Sequence, residues 1–424
     1  YYSAYNSNYA PSQLGDGTRP IGYELNVGIP KTFKELKPFE EGKSVPYGEK
    51  QMAFIIKWMQ NQSKWSQFID SSKVYFQGGS LGGGGSMTFA LHYPELVSAI
   101  DAIQGKVVNY FIDPSTGAGS YPGGMENYLG PFSENIPTPE GIGIYDYVDA
   151  GKYFLAHPEK DFPVIRTNHG KNDLLAWYQV PAFYSAANSA RVYIYSVFDQ
   201  CAHNCFEASY FPEYIPVRNF VVNMFNDGFN IFHYSLSKSY PAFSDFSLNS
   251  NPGNGVPASG DLRGGINRYP YWDWNTGLET SRQYDVNVFL MAESPLDSAT
   301  VSITPRRLQA LEHSAGTAYF WKNIRVSDGQ VLQSGNVSAD QYGRITIQNF
   351  IISKQKSTLS MVVGNSPPAQ CFDLTGDNKV DLFDLVFVSL RLGSPAGSPA
   401  DVIGNDGVNI LDLQEVSRNF GQNC

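Results

Sequence analysis

Ser80 sits in a frame of glycines, Gly78-Gly79-Ser80-Leu81-Gly82, between a strand-like run, Lys73 to Gln77, and a helix-like run from Ser86 to His92. A sharp strand-to-helix turn with serine at its apex holds that residue in strained backbone geometry and thrusts its hydroxyl into an open site. The flanking glycines leave room for strand and helix to approach closely. A serine hydroxyl is a poor nucleophile at neutral pH. A covalent role for Ser80 therefore requires a histidine to take its proton and a carboxylate to orient that histidine.

Two later positions supply those groups. Asp173 lies in His169-Gly170-Lys171-Asn172-Asp173, after the strand-like Phe162 to Arg166, and His203 lies in Cys201-Ala202-His203-Asn204-Cys205, after the strand-like Arg191 to Tyr195. Both fall where a parallel sheet presents the carboxyl ends of its strands, the edge at which such sheets build sites. Asp173 is the carboxylate of its loop. His169 and His233 compete with His203 as the base, and a Cys201 to Cys205 disulfide that stiffens the loop favours His203. His92, His157 and His313 read as surface or packing residues. In this assignment Ser80 attacks a carbonyl, His203 takes and returns the proton, and Asp173 fixes the imidazole tautomer. The backbone N–H of Leu81 gives one oxyanion donor. Residues 1–50 show neither the loop that would give the second donor nor the strands that should precede it. The sequence thus predicts an N-terminally incomplete sheet: either another chain or fragment completes it beside the Lys73 to Gln77 strand, or the sequence is incomplete.

A second group of oxygen side chains lies near the C-terminus. Asp373, Thr375, Asp377, Asp381 and Asp384 occupy positions 1, 3, 5, 9 and 12 of a loop, with the carbonyl of Lys379 at position 7. Alternate side chains on a tight loop suit a hard cation that takes six to eight oxygens, which points to Ca²⁺. A weaker copy places Asp401, Asn405, Asn409 and Asp412 in the same frame, with Ile403 at a position that needs an oxygen. Each loop leads into a helix-like run, and a Cys371 to Cys424 disulfide would clasp the ends of the segment.

The elements that must position these groups follow from periodicity. Met52, Phe54, Ile55, Trp58 and Met59 recur at helical spacing ahead of the Ser80 strand, and Tyr178 to Ala190 reads as a helix between two strands. Alternation of this kind predicts a mostly parallel sheet. Residues 106–145 form a long Gly, Pro and Tyr-rich insertion whose Tyr110, Tyr121, Tyr128, Tyr145 and Tyr147 offer either an aromatic platform for a sugar or aryl group, or packing. The stretch Asn249 to Pro257 reads as a linker, and beyond it short alternating segments with Asp-Gly and Tyr-Gly turns predict a small β-sandwich. The expected domains are 1–264, 265–364 and 370–424.

The net charge of -10 argues against a nucleic-acid partner or an anionic membrane surface. No apolar run reaches the roughly 18 residues that span a bilayer. Paired cysteines and a composition rich in aromatics, glycine and proline fit a secreted or cell-surface protein.

On the glycine-framed Ser80, the Asp173 loop and the His203 loop, residues 48–210 resemble an α/β-hydrolase of the secreted bacterial esterase and polyester-depolymerase type, whose triad follows the order Ser, Asp, His. The paired loop-and-helix units at the end resemble a dockerin, a calcium-dependent module that docks onto cohesin-type receptors. Together these resemblances imply an α/β fold followed by an all-β sandwich and a small α-helical module. The implied activity is that of a secreted serine esterase acting on an extracellular polymer or polysaccharide. A non-catalytic adhesive or structural protein built on a hydrolase scaffold, and a serine peptidase, are the alternatives.

Overall fold

Four strands in the first half of the chain have apolar residues on both faces, the pattern of a sheet covered on both sides. The computed structural model describes residues 4–6, 43–108, 135–173, 175–203, 205–207, 210–211, 230–364, 372–377, 379–403 and 407–421. A short antiparallel pair, β1 (Ala4–Asn6) with β2 (Ser44–Pro46), comes first. The central sheet then joins β3 (Tyr75–Gly79), β4 (Ala99–Ile103), β5 (Val164–Gly170) and β6 (Ile194–Asp199) in parallel. After β7 (Tyr240–Ser244) the chain adds β8 (Gly264–Ile266) antiparallel to β6, which gives the order β3-β4-β5-β6-β8. Among the described residues, β3 is an edge strand that pairs with β4 alone.

The two faces of this sheet are covered differently. Ile100, Ala102, Ile165, Ile194 and Phe198 point into a core shared with the helices Leu81–His92, Ala150–Ala156 and Val180–Ala190. Ala99, Val164, Tyr195 and Val197 alternate with them and point the other way, into a core filled by antiparallel strands. Those strands are β9 (Pro270–Trp272), β10 (Leu278–Glu279), β11 (Gln283–Leu290), β12 (Ser298–Arg306), β13 (Ala318–Arg325), β14 (Val331–Ser338), β15 (Ile347–Ser353) and β16 (Ser357–Val363). They form two sheets, β10-β11-β16-β13-β14 with β9 on β11, and β15-β12-β7. The β layer takes the place that helices hold on the opposite face.

The boundary expected at 264/265 falls inside β8. Strand β7, from the first expected domain, pairs with β12 of the second, and the chain returns to the parallel sheet through β8 before it builds β9. The linker-like Asn249 to Pro257 stretch lies between those two crossings. Gly253 and Gly255 turn there with φ of 82° and 94°. Just beyond, the carbonyls of Ser259 and Asp261 accept from the buried Lys171 ammonium at 2.5 and 2.7 Å. The segment is therefore a fixed part of the parallel-sheet layer.

The helix Tyr47–Asn61 forms where the spacing predicts it, but its apolar residues are exposed. It buries Glu49 and Ala53 while Met52, Phe54, Ile55, Trp58 and Met59 remain exposed. Glu49 holds the helix to the end of Leu81–His92, because His92 Nδ1 lies 2.6 Å from Glu49 Oε2 and His92 Nε2 lies 2.9 Å from the Tyr147 carbonyl. That carbonyl can only accept, so Nε2 carries a hydrogen and the contact to Glu49 needs one further shared proton. Burial raises the Glu49 pKa, the nearby Glu140 carboxylate adds to the rise, and His92 opposes it. A carboxyl whose pKa is raised on folding contributes stability at low pH and loses it as pH climbs through the folded value. The melting temperature of the parent protein should therefore fall above the ordinary carboxylate range. Glu49→Gln should lack that slope, since its amide donates to Nδ1 without a titrating proton, whereas Glu49→Ala should cost about 3 kcal/mol. Parallel melting curves for the parent and Glu49→Gln across that range would refute the shared proton.

At the C-terminal end, helices Leu382–Ser389 and Ile410–Arg418 pack around Phe372, Val380, Val388, Ala400, Val408 and Val416. Residues 372, 380 and 388 recur as 400, 408 and 416, so one internal repeat builds this core from both copies.

Candidate active site

Ser80 caps the helix Leu81–His92 with φ 54° and ψ -117°, a conformation that costs a non-glycine residue about 1–3 kcal/mol. Backbone bonds hold it there, with the Ser80 N–H donating to the Ile103 carbonyl at 2.9 Å and the Gly84 N–H donating to the Ser80 carbonyl at 3.0 Å. The helix starts at Leu81, five residues before the Ser86 start expected from sequence, through a glycine run that weakens helix propensity by about 1 kcal/mol per residue. Close packing offsets that cost. A Cβ on Gly83 would lie 2.7 Å from the Gly105 Cα, and one on Gly78 would lie 2.3 Å from the Gly82 carbonyl carbon. Gly82 itself faces open space, so within the frame it is Gly78 that the turn requires.

The structure brings Ser80, His203 and Asp173 together. His203 Nε2 lies 2.7 Å from Ser80 Oγ, and His203 Nδ1 lies 2.7 Å from Asp173 Oδ2. The remaining oxygen of Asp173 accepts the Leu175 N–H at 3.0 Å, and the residue is buried while His203 is about one-fifth exposed. A hydroxyl, an imidazole and a buried carboxylate in this chain can pass a proton from oxygen to nitrogen as the hydroxyl attacks. Lys106 lies close enough to Asp173 to feel its charge. Burial lowers the Lys106 pKa, and Asp173 opposes that fall without reversing it.

The two competing histidines lie elsewhere. His169 is within β5, and its Nε2 donates to the Thr167 hydroxyl at 3.0 Å while that hydroxyl donates to the Ala102 carbonyl. Burial lowers its pKa to about 3, so it stays neutral. His233 stacks on Trp274 with ring centres 4.4 Å apart and meets the Tyr271 hydroxyl at 2.8 Å. His92, expected as surface or packing, is buried against Glu49 and Tyr147.

The His203 loop is braced on several sides, by the disulfide expected from sequence and by residues that the sequence did not single out. Cys201 and Cys205 form a disulfide. Asp199, at the end of β6, accepts from the Cys201 N–H at 2.9 Å and the Glu207 N–H at 2.8 Å, so one carboxylate spans the loop. Burial raises its pKa, against those two N–H groups. Asn172 reaches across from the Asp173 loop, its amide donating to the Gln200 carbonyl and its N–H to the Cys201 carbonyl. Gly170 must lack a side chain because a Cβ would lie 2.3 Å from that Cys201 oxygen. Gln104 donates to the Cys205 carbonyl from the loop after β4. The one signal that could have pointed there is Gly105, a glycine two residues after β4.

Leu81 occupies the first helical position, where its N–H has no carbonyl four residues earlier to accept it. Tyr145 and Tyr147 are buried in the helix Ile144–Tyr147 and cannot form an exposed platform. Tyr110, Tyr121 and Tyr128 lie outside the described residues, as do Asn405, Cys371 and Cys424.

The first oxygen-rich loop converges as its spacing predicts. One carboxylate atom from each of Asp373, Asp377 and Asp384 lies within 4.8 Å of the others. Oxygens on opposite sides of a Ca²⁺ ion, at 2.3–2.6 Å each, lie at most about 5 Å apart, so these three fit such an ion. Thr375 Oγ1 sits 3.4 Å from Asp373 Oδ1 and 3.2 Å from Asp384 Oδ1. Asp381 caps the following helix through the Phe383 N–H, and the Lys379 N–H donates to Asp377. In the second loop Asp412 accepts from the Ile403 and Asn409 N–H groups, Asn409 caps its helix, and Asp401 accepts from the Gly397 N–H.

No family model matches the chain, and no curated protein matches it. Among solved structures, a dipeptidyl aminopeptidase IV from Bacteroides ovatus is 20% identical over 37% of this chain and 19% of its own, with a TM-score of 0.27. A ferulic acid esterase is 16% identical over 37% of this chain and 55% of its own, with a TM-score of 0.26. An esterase from Pseudomonas putida is 18% identical over 38% and 51%, with a TM-score of 0.29. The chain thus spans about half of each esterase and a fifth of the aminopeptidase. Among the described residues, no helix is long and apolar enough to cross a membrane.

Proposed function

We propose that this protein is a secreted serine hydrolase, an esterase that cleaves esters of an extracellular polymer or polysaccharide. The observation that carries the reading is the unbroken contact from Asp173 through His203 to Ser80, with 2.7 Å at both steps. As Ser80 Oγ bonds to the ester carbonyl carbon, its proton passes to His203 Nε2, and the Asp173 carboxylate stabilises the imidazolium. The carbonyl oxygen gains the electron pair and meets the Leu81 N–H. Collapse of this intermediate breaks the bond to the alcohol, which leaves with the proton from His203. Water then attacks the acyl-enzyme by the same path and releases the acid.

The disulfide at Cys201 and Cys205 favours an oxidising compartment. Among the described residues β3 pairs with β4 alone, and this, with the exposed apolar side chains of the helix Tyr47–Asn61, supports a further chain segment beside β3, which would bring the second oxyanion donor. The decisive measurement is mass spectrometry after treatment with a fluorophosphonate, alongside hydrolysis of a short-chain aryl ester. The expected adduct is on Ser80. Its absence from a full-length preparation would overturn the enzyme reading and favour a non-catalytic scaffold.

We further propose that residues 370–424 bind Ca²⁺ and dock onto a cohesin-like receptor. Exposed apolar residues occur in matched pairs on the two repeats, Leu382 with Ile410, Phe383 with Leu411 and Leu392 with Phe420, which suits an apolar partner surface. Asp373, Thr375, Asp377, Asp381 and Asp384, with the Lys379 carbonyl, would hold the stronger ion, and Asp401, Asn405, Asn409 and Asp412 the weaker. Titration calorimetry with CaCl₂ should give a tight step that Asp377→Ala removes while esterase activity stays unchanged. Absence of Ca²⁺ binding by the parent would refute the module.

A further inference from the structure

We propose that Gln104 is a positioning residue, which keeps the His203 loop in register with both Ser80 and Asp173. The inference rests on the serine-hydrolase reading above. Three consecutive residues at the end of β4, Ile103, Gln104 and Gly105, touch every part of the site. The Ile103 carbonyl accepts the Ser80 N–H, and Gly105 packs against Gly83 in the helix that Ser80 caps. Between them, the Gln104 N–H donates to the Asn168 main-chain and side-chain oxygens at 3.1 and 3.0 Å, tying it to β5, which leads into the Asp173 loop. The Gln104 side chain then donates to the Cys205 carbonyl at the far end of the His203 loop. One buried residue, next to the strand end that holds the serine turn, thus joins the strand before the acid to the loop of the base.

The backbone of Gln104 makes a purely structural explanation insufficient. Its φ is 45°, in the left-handed region that glycine and asparagine adopt more easily than other residues. Selection for stability alone would favour either of those. Glutamine keeps the strained backbone while its long side chain spans the gap to Cys205, which asparagine, one methylene shorter, and glycine cannot. The clamp also complements the other supports. Asn172 holds the loop near Cys201, Asp199 bridges the Cys201 and Glu207 N–H groups, and Gln104 holds the Cys205 carbonyl.

The test compares full-length parent, Gln104→Asn, Gln104→Gly and Gln104→Glu proteins. Expected for the asparagine and glycine variants are melting temperatures no lower than the parent's, kcat and the rate of fluorophosphonate labelling reduced about tenfold, and KM unchanged. Their Cys201–Cys205 disulfides should also be reduced by dithiothreitol several-fold faster, a readout that does not depend on turnover. For Gln104→Glu, activity relative to the parent should rise as pH falls, because only the protonated carboxyl can donate to the Cys205 carbonyl. Parental labelling and reduction rates in Gln104→Asn, or an activity loss that simply tracks a lowered melting temperature, would overturn the role. If the parent itself does not label at Ser80, the hydrolase reading fails, and an unchanged disulfide reduction rate in the variants then refutes the clamp independently.

Discussion

Ser80→Ala is expected to lower ester turnover by about 10⁶-fold while leaving the fold intact. The separation of the two effects follows from how the residue is held. Its N–H bonds to Ile103 and its carbonyl to Gly84, and alanine keeps both, so the sharp turn persists. The hydroxyl's contact with His203 is lost, and His203 still rests on Asp173. Alanine also inherits the same φ and ψ, so little stored strain is released. Hydrolysis of an aryl ester followed beside scanning calorimetry checks both halves. A variant that retains more than about one part in a thousand of the parental rate would mean that the reaction bypasses Ser80.

Asp173→Asn carries the next largest expected loss, about 10⁴-fold in kcat. The geometry shows why an isosteric change should matter so much. One Asp173 oxygen accepts the Leu175 N–H, and the other accepts from His203 Nδ1. An asparagine must keep its oxygen toward Leu175, because an amide NH₂ there would face another donor. Its NH₂ then faces His203 Nδ1, which must become an acceptor. The ring hydrogen moves to Nε2 and points at Ser80, so the base can no longer take the serine proton. The melting temperature should change little, since every contact has a partner. A loss below tenfold in steady-state kinetics would remove Asp173 from the orienting role.

Those three residues were legible because each sits at the end of a parallel strand or on the turn directly after it, and short strand-like runs marked those ends. The bracing around them was not. Asp199 and Gln104 act on backbone groups across the loop, and neither residue type nor spacing signals such a partner in advance. The first turn of the helix after Ser80 was hidden by its own glycines, which read as loop until Gly83 is seen against Gly105. The exchange of β7 and β8 between layers was hidden for another reason. A short alternating strand looks alike whichever sheet it joins, so Tyr240–Ser244 carried no mark of its pairing with β12. The oxygen-rich loop was easier, since its ligand positions follow one another along a single local turn and their meeting needs no long-range packing.

The shared core between the parallel sheet and the β layer bears on how this protein can be taken apart. Val164, Tyr195 and Val197 share one core with residues that lie between 162 and 197 positions downstream, among them Leu359 and Met361 of β16. A truncation after residue 264 should strip one side of the parallel sheet and leave an aggregating fragment, however natural that cut looks in the sequence. The smallest excisable unit runs on to about residue 364, and heating it should give a single endotherm. Modularity in this chain begins only at the two oxygen-rich repeats, whose small core is their own.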